Sequence, residues 1–582
     1  MRITHLIAVT VLSASLSACV TPAPPDNVIG DYLSARLAAG SNEVDEAALA
    51  YSKAQQKAPG SPDIRRNAFY FRLAAGDYEQ AIALAESLRK IENANDGGLA
   101  SAVLAARAIK QARFVEAKQL IAAARSGGFP VPAANLIEVW AIAGARGEAA
   151  ALEKLRAIPG EEYRGFYPLH AALLAQNMGR AEDARSAYQL AVMAFSGSAE
   201  MEAYGAFLES QGDDSETREY YELLAGQDGY ARFAGLAGLA RLDSGEQLRT
   251  MQYTSPSTGA SIALYSLASG VLQDVYRRRA AAEDAGFRIG EADYNISLAM
   301  ARLALYLDPT FDDARRFIGS ILNLYGDHEN AIAALSLVRP SSPYFEQAQI
   351  EIAGAREAMG ETDAAISTLQ KTIRTHPESK DARLTLAALY ASKERHKETA
   401  AIMDEVIADL PDDPRPTAWR YYITRAAALI EVDEWKRAEA DLERAVEIAP
   451  DEATALNYLG YSWAERGENL EKAFDLIERA VALEPTSGAI IDSLGWAHYQ
   501  LGNYNDAVKH LERAASLEPS DPTITDHLGD VYWRLGRSLE ARYQWQRVLE
   551  LEPGAELRDA IKDKIIRGLA PRDSEENRET KS

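Results

Sequence analysis

The sequence predicts an all-α solenoid of stacked helix–turn–helix units rather than one globular core. Three observations predict it. First, Pro309, Pro343, Pro377 and Pro411 lie 34 residues apart, and Pro450, Pro485, Pro519 and Pro553 continue at steps of 39, 35, 34 and 34. Second, small and large apolar residues keep one phase within each period. Third, 47% hydrophobic residues with a negative mean hydropathy suit amphipathic helices throughout. A chain of 582 residues would otherwise divide into several domains, but a solenoid lengthens without enlarging a single core.

Counting each closing Pro as position 32, the unit ending at Pro519 carries Leu494, Gly495, His498, Gly502, Ala507, Leu511 and Ala514. The unit ending at Pro553 carries Leu528, Gly529, Tyr532, Gly536, Ala541, Trp545 and Val548. The unit ending at Pro485 carries Leu459, Gly460, Trp463, Gly467, Ala473 and Ala480, with one residue inserted near Asn469. Small residues at positions 8 and 20 let the first helix of a unit (helix A) approach the second (helix B), and large ones at 4, 7, 11 and 24 fill the space between. Gly at 15 permits the tight turn, and Pro at 32 ends helix B. This is the period and pattern of the tetratricopeptide repeat.

Looser units precede these. Ile318, Gly319, Gly326 and Ala331 mark one; Ile352, Ala353, Gly360 and Ala365 the next; Leu386, Ala387 and Tyr390 a third; Ala426, Leu429, Ala438, Leu442 and Ala445 a fourth. Near the start, Ala47, Tyr51, Ala54 and Pro59 close a unit, and Gly76, Ala81, Leu104, Ala117, Gly179, Ala184 and Tyr188 mark others. About twelve to fourteen units are expected in all. The glycines of residues 226–260 weaken helix, so a joint is expected there between an N-terminal array at 28–225 and a C-terminal array at 261–553. One continuous superhelix with a long loop is the alternative. Leu264–Val271 reads as a helix A and Ile296–Leu307 as a helix B. Leu557, Ile561, Ile565 and Ile566 form the apolar stripe of a capping helix at 554–570, followed by a polar tail at 571–582 expected to be disordered.

Arg2 and His5 precede the apolar run Leu6–Leu12 and the small residues Ser13 to Ala18, which reads as a secretory leader at 1–18. Leu16-Ser17-Ala18-Cys19 resembles the bacterial lipoprotein signal, in which the Cys is lipidated and becomes the new N-terminus. Cys19 is the single cysteine of the chain, so a disulfide framework is excluded. Several acyl chains hold a protein stably on a membrane, and residues 19–27, rich in Pro, read as a tether. Val20 behind the Cys resembles lipoproteins passed to the outer membrane.

The formal charge is −24, and removing residues 1–18 takes away Arg2 and leaves −25. Such acidity argues against nucleic-acid binding and keeps the chain off anionic headgroups except at its anchor. A basic partner surface and solubility alone both explain it. The sequence has no nucleotide loop, no Gly-x-Ser-x-Gly elbow and no Cys or His pair at metal spacing. His498, His510 and His527 recur in adjacent units, but His498 holds a packing position and the other two read as helix surface. No cofactor, metal or catalytic residue is expected.

In tetratricopeptide proteins generally, positions 2, 5, 9, 12 and 13 of helix A line the concave groove. In the last three repeats these include Asn457 and Tyr461, then Asp492, Trp496 and Tyr499, then Asp526, Asp530, Trp533 and Arg534. Aromatics beside Asn and Asp suit an extended peptide, with burial of Trp496 and Trp533 against neighbouring helices as the alternative. The Lys-Asn-Asn-Lys-Arg arrangement of carboxylate clamps is missing.

The segments LNYLGYSWAERGENLEKA at 456–473, IDSLGWAHYQLG at 491–502 and DHLGDVYWRLGRSLEARYQW at 526–545 go beyond the generic repeat pattern. They resemble the tetratricopeptide-repeat lipoproteins of α- and γ-proteobacteria, including the outer-membrane adaptor of a periplasmic carboxyl-terminal processing protease. The resemblance covers the lipoprotein signal and the last three or four repeats. It implies a periplasm-facing, lipid-anchored adaptor without catalysis of its own, with the protease and cell-wall hydrolase substrates as partners. A scaffold for outer-membrane assembly or polysaccharide export, a cell-wall enzyme, and a cytoplasmic repeat protein with a misread leader are the alternatives.

Overall fold

The computed structural model describes residues 28–41, 43–90, 97–158, 166–194, 197–227, 230–244, 255–281, 291–411 and 414–570. The leader, Cys19, the tether, part of the 226–260 segment and the tail at 571–582 lie outside them. Among the described residues are thirty α-helices and no strand. They form two compact units, one ending at Ala365 and the other beginning at Ile366.

The hairpin Gly488–Gln500 with Tyr504–Leu517 shows why this sequence folds as it does. Ser487 caps the first helix by accepting from the Ile490 amide. Gly502 takes φ +79° at the turn, a conformation costly for any residue with a Cβ. Leu494, Ala507, Leu511 and Ala514 are buried. A Cβ on Gly495 would stand 2.6 Å from Leu511 Cγ, on Gly460 2.6 Å from Ile477 Cγ1, and on Gly529 2.5 Å from Trp545 Nε1. Position 8 is therefore empty because position 24 of the partner helix fills it. Beyond Pro519, Asp521 caps the next helix through the Thr523 and Ile524 amides at 2.7 and 2.9 Å. Successive hairpins are also clipped by arginine. Arg479, Arg513 and Arg547 donate to the carbonyls of Pro450, Pro485 and Pro519 at 2.8, 2.5 and 2.7 Å. The 39-residue step is absorbed ahead of Trp419–Glu431, where the short 3-10 turn Pro416–Ala418 leads into the helix.

In the first unit the repeats do not simply stack. Helices Pro256–Ala281 and Glu291–Leu307 form a hairpin that turns back onto Pro62–Ala74, Gly98–Lys110, Val131–Arg146 and Tyr167–Asn177, the first helices of four earlier hairpins. Arg302 Nε donates to the Ala74 carbonyl at 2.7 Å, and Tyr78 Oη donates to the Arg302 carbonyl at 2.9 Å. Lys110 lies over the Tyr306 ring at 4.4 Å. One apolar core runs continuously from Val44 to Ala334. The residues after the glycine-rich segment thus bury themselves against those before it, and the compact units divide at Ala365/Ile366. Residues 264–271 and 296–307 are helical as expected, within longer helices.

Trp140 is buried where the returning helix crosses, and its Nε1 donates to His170 Nδ1 at 3.0 Å. The indole is a donor only, so His170 accepts through Nδ1 and carries its proton on Nε2. Complete burial pushes His170 down to about 3, so it stays neutral. Gly259 leaves room for the indole, since a Cβ there would come within 2.1 Å of the ring. Gly259→Ala is expected to destabilise the first unit by about 1–3 kcal/mol. Chemical denaturation should move to lower urea, and hydrogen exchange should quicken in Val131–Arg146 while Gly488–Glu550 stays protected.

Candidate functional site

The candidate peptide-binding residues lie on the first helices of the last three hairpins: Ala453–Arg466, Gly488–Gln500 and Pro522–Arg534. They divide into a more open part, where Asn457, Tyr461 and Trp496 are half-buried although Asp492 and Tyr499 are buried, and a part filled by the chain itself. In the open part, Trp496 stacks between Tyr499, at 4.6 Å and 8° between planes, and His527, at 4.0 Å and 16°. His527 is buried, and its Nδ1 pairs with the buried Asp492 carboxylate at 2.9 and 3.1 Å. It is not the helix-surface residue that its spacing predicted. Burial alone would lower the His527 pKa, but the Asp492 charge and hydrogen bond outweigh it and raise the pKa above the usual histidine value. Tyr461 lies 6.4 Å from the same ring, its hydroxyl pushed up by burial and by Glu465 beside it. Asn457 and Trp496 are half-buried, and Asn457 Oδ1 and Trp496 Nε1 make no hydrogen bond among the described residues.

The other part is closed. The capping helix Ala555–Arg567 sends Lys564 Nζ between Asp526, at 2.8 Å, and Asp530, at 2.9 Å. Trp545 Nε1 also donates to Asp530, at 3.0 Å. Burial and the neighbouring Asp526 raise the Asp530 pKa despite Lys564, because one ammonium serves two carboxylates. Burial alone would lower Lys564, but the two carboxylates outweigh it and raise it. Trp533 packs 5.5 Å from Trp545, and Gly568 lies so close that a Cβ there would meet the indole at 1.9 Å. Arg534 reaches Tyr499 Oη at 3.2 Å and the Ala570 carbonyl at 2.7 Å. Asp526, Asp530, Trp533 and Arg534 therefore hold the C-terminal cap in this conformation instead of facing an open groove. Ile561 is fully buried in the cap and Leu557 and Ile565 pack beside it, whereas Ile566 is exposed and leaves the predicted stripe.

His498 and His510 stack at 5.3 Å, with Phe474 edge-on to His498 at 4.9 Å. His527 belongs to a different cluster, and no group of three or more potential ligands able to hold a metal occurs among the described residues. No described helix is long and apolar enough to cross a membrane. Lys564 escaped sequence reasoning because nothing in the spacing separates it from Lys562, which pairs with Asp559 on the surface.

Two outcomes follow from this geometry. Lys564→Met leaves two buried carboxylates facing each other and is expected to cost about 3 kcal/mol, read as earlier urea unfolding of residues 522–567. The raised pKa of His527 contributes stability that is complete below about 6.5 and is lost as pH rises through the higher folded value. The urea midpoint of the C-terminal repeats should therefore fall between pH 6 and pH 8, and His527→Gln should flatten that fall.

Residues 356–420 and 423–488 match family models described as tetratricopeptide repeat, and 495–536 one described as TPR repeat. The TPR repeat-containing protein PA4667 of Pseudomonas aeruginosa is 27% identical over 201 residues, which are 34% of this chain and 33% of that protein. The chain thus spans a third of the length of this relative. Among solved structures, MamA is 22% identical with a TM-score of 0.27, the similarity covering 31% of this chain and 94% of MamA. A chain of the APC/C hetero-tetramer Cut9–Hcn1 is 14% identical with a TM-score of 0.35, covering 93% of this chain and 96% of that one. YrrB, described as a TPR protein with an unusual peptide-binding site, is 19% identical with a TM-score of 0.26, covering 30% of this chain and 86% of its own. The matched stretches are tetratricopeptide repeats, and the chain has the all-α solenoid fold of that repeat class.

Proposed function

We propose that this chain is a lipid-anchored adaptor facing the periplasm from the outer membrane, which binds an extended segment of a partner protein on the helix-A wall of its C-terminal repeats. The observation that carries the binding reading is the pair of unsatisfied polar atoms, Asn457 Oδ1 and Trp496 Nε1, on neighbouring wall helices. A buried polar atom without a partner costs about 1–3 kcal/mol; both atoms are closed to solvent in this conformation, so a side-chain rotation presents them to the N–H and C=O of an extended backbone. The half-buried Trp496 beside them is held rigid between the buried Tyr499 and His527 rings. Asp492 and Tyr499 act by positioning His527 and Arg534.

The anchor rests on Leu16-Ser17-Ala18-Cys19. The partners rest on the resemblance of residues 456–473, 491–502 and 526–545 to adaptors of a carboxyl-terminal processing protease. The adaptor holds the protease and a cell-wall hydrolase together, so that their encounter becomes intramolecular and the chemistry belongs to the protease. Crosslinking in envelope preparations should recover both, with palmitate incorporated at Cys19. Asn457→Leu with Trp496→Phe removes both polar atoms while keeping an aromatic ring at 496, and should weaken capture about tenfold with little change in melting temperature. Recovery of an outer-membrane barrel or polysaccharide synthase in place of the protease and hydrolase would overturn the partner assignment. Unchanged capture by the double variant would overturn the site.

A further inference from the structure

A second surface of the C-terminal unit lies on the side of the B helices. An open cleft of about 610 Å³ separates the first two turns of Leu470–Leu483 from the second half of Trp435–Ile448. Leu459, Trp463 and Leu476, all buried, form its floor with the half-buried Val446. Trp463 Nε1 is already satisfied by Glu439 at 2.7 Å, so the floor offers apolar surface only. Both walls are acidic: Glu443 and Glu447 stand one turn apart on one helix, Glu471 and Asp475 one turn apart on the other. Glu447 pairs with Arg444 at 2.9 Å, whereas Glu443, Glu471 and Asp475 are in no ion pair among the described residues. Lys472 is the one cation of the lining. Like charges at i and i+4 are mildly destabilising in a helix, and here both facing helices carry such a pair. The cleft adjoins the inserted residue of this repeat, Asn469, which takes φ +46° just before the helix that forms one wall.

We infer that this cleft is a docking site for an arginine side chain presented by a partner protein. Its aliphatic stem lies on Leu476 and the edge of Trp463, and its guanidinium lies between Glu443 on one wall and Glu471 and Asp475 on the other. An apolar floor under a ring of carboxylates matches a side chain with an apolar stem and a cationic head, and matches no acidic or purely aliphatic group. The planar, weakly hydrated guanidinium suits this setting better than the ammonium of lysine. The surface is separate from the helix-A wall, so the two proposals stand independently.

The test is saturation-transfer NMR on the full chain with three blocked tripeptides, Ac-Gly-X-Gly-NH2, in which X is arginine, lysine or norleucine. The arginine peptide is expected to receive saturation on its side-chain methylenes, the lysine peptide less and the norleucine peptide least. Glu443→Gln with Glu471→Gln and Asp475→Asn should weaken arginine binding about tenfold, and added salt should weaken it in the parent chain. A charge-matched control, Glu378→Gln with Asp451→Asn and Glu484→Gln, removes three exposed carboxylates elsewhere in the unit and should leave binding unchanged. All six positions are exposed, so melting temperature should move little in either variant. Equal binding by norleucine, no arginine binding, an unaffected cleft variant, or an equal loss in the control would each overturn the assignment.

Discussion

The architecture depends on how closely the two helices of a hairpin approach at one small residue. Where Gly460, Gly495 and Gly529 meet Ile477, Leu511 and Trp545, no Cβ would fit between the helices. The large side chain that occupies this gap is buried in every case. Turn glycines, helix caps and closing prolines fix the direction of each helix, but this contact fixes the distance between them. Distance in turn decides which faces are left for the next hairpin. The arginine clips at Pro450, Pro485 and Pro519 then add a polar contact between neighbours without entering the core.

The same contact explains why the C-terminal repeats were legible residue by residue and the N-terminal half was not. A repeat that stacks only on its neighbours must state its packing in its own sequence, and 453–553 does so. Helices that are buried on several sides follow a different rule, because apolar residues then run around the whole circumference. GLASAVLAARAIK at 98–110 and VPAANLIEVWAIAGAR at 131–146 each bury ten residues. Their uniform apolarity was the available sign that something returns to cover them. The glycines at 226–260 instead led to the expectation of a joint, although Gly259 serves close contact with Trp140.

The candidate wall illustrates a limit of positional reasoning. Helix positions 5, 9, 12 and 13 identify residues on one face, but not whether the next element covers that face. Asn457, Tyr461 and Trp496 precede a regular hairpin and remain half-buried. Asp526, Asp530, Trp533 and Arg534 precede the capping helix, whose Lys564 and Gly568 use them for attachment. Identical positions thus stay half-buried in earlier repeats and anchor the terminal helix in the last. His527 links the two, since it packs on Trp496 from the helix that carries Asp526 and Asp530.

The return of Pro256–Ala281 and Glu291–Leu307 onto the first repeats has a consequence for biosynthesis. A simple solenoid can consolidate unit by unit as it leaves the ribosome or a translocation pore. Here the bond from Tyr78 to the Arg302 carbonyl spans 224 positions in the chain. The early helices therefore emerge with their apolar inner faces uncovered and stay so until the segment near residue 300 arrives. Contacts so remote slow maturation and lengthen exposure to aggregation.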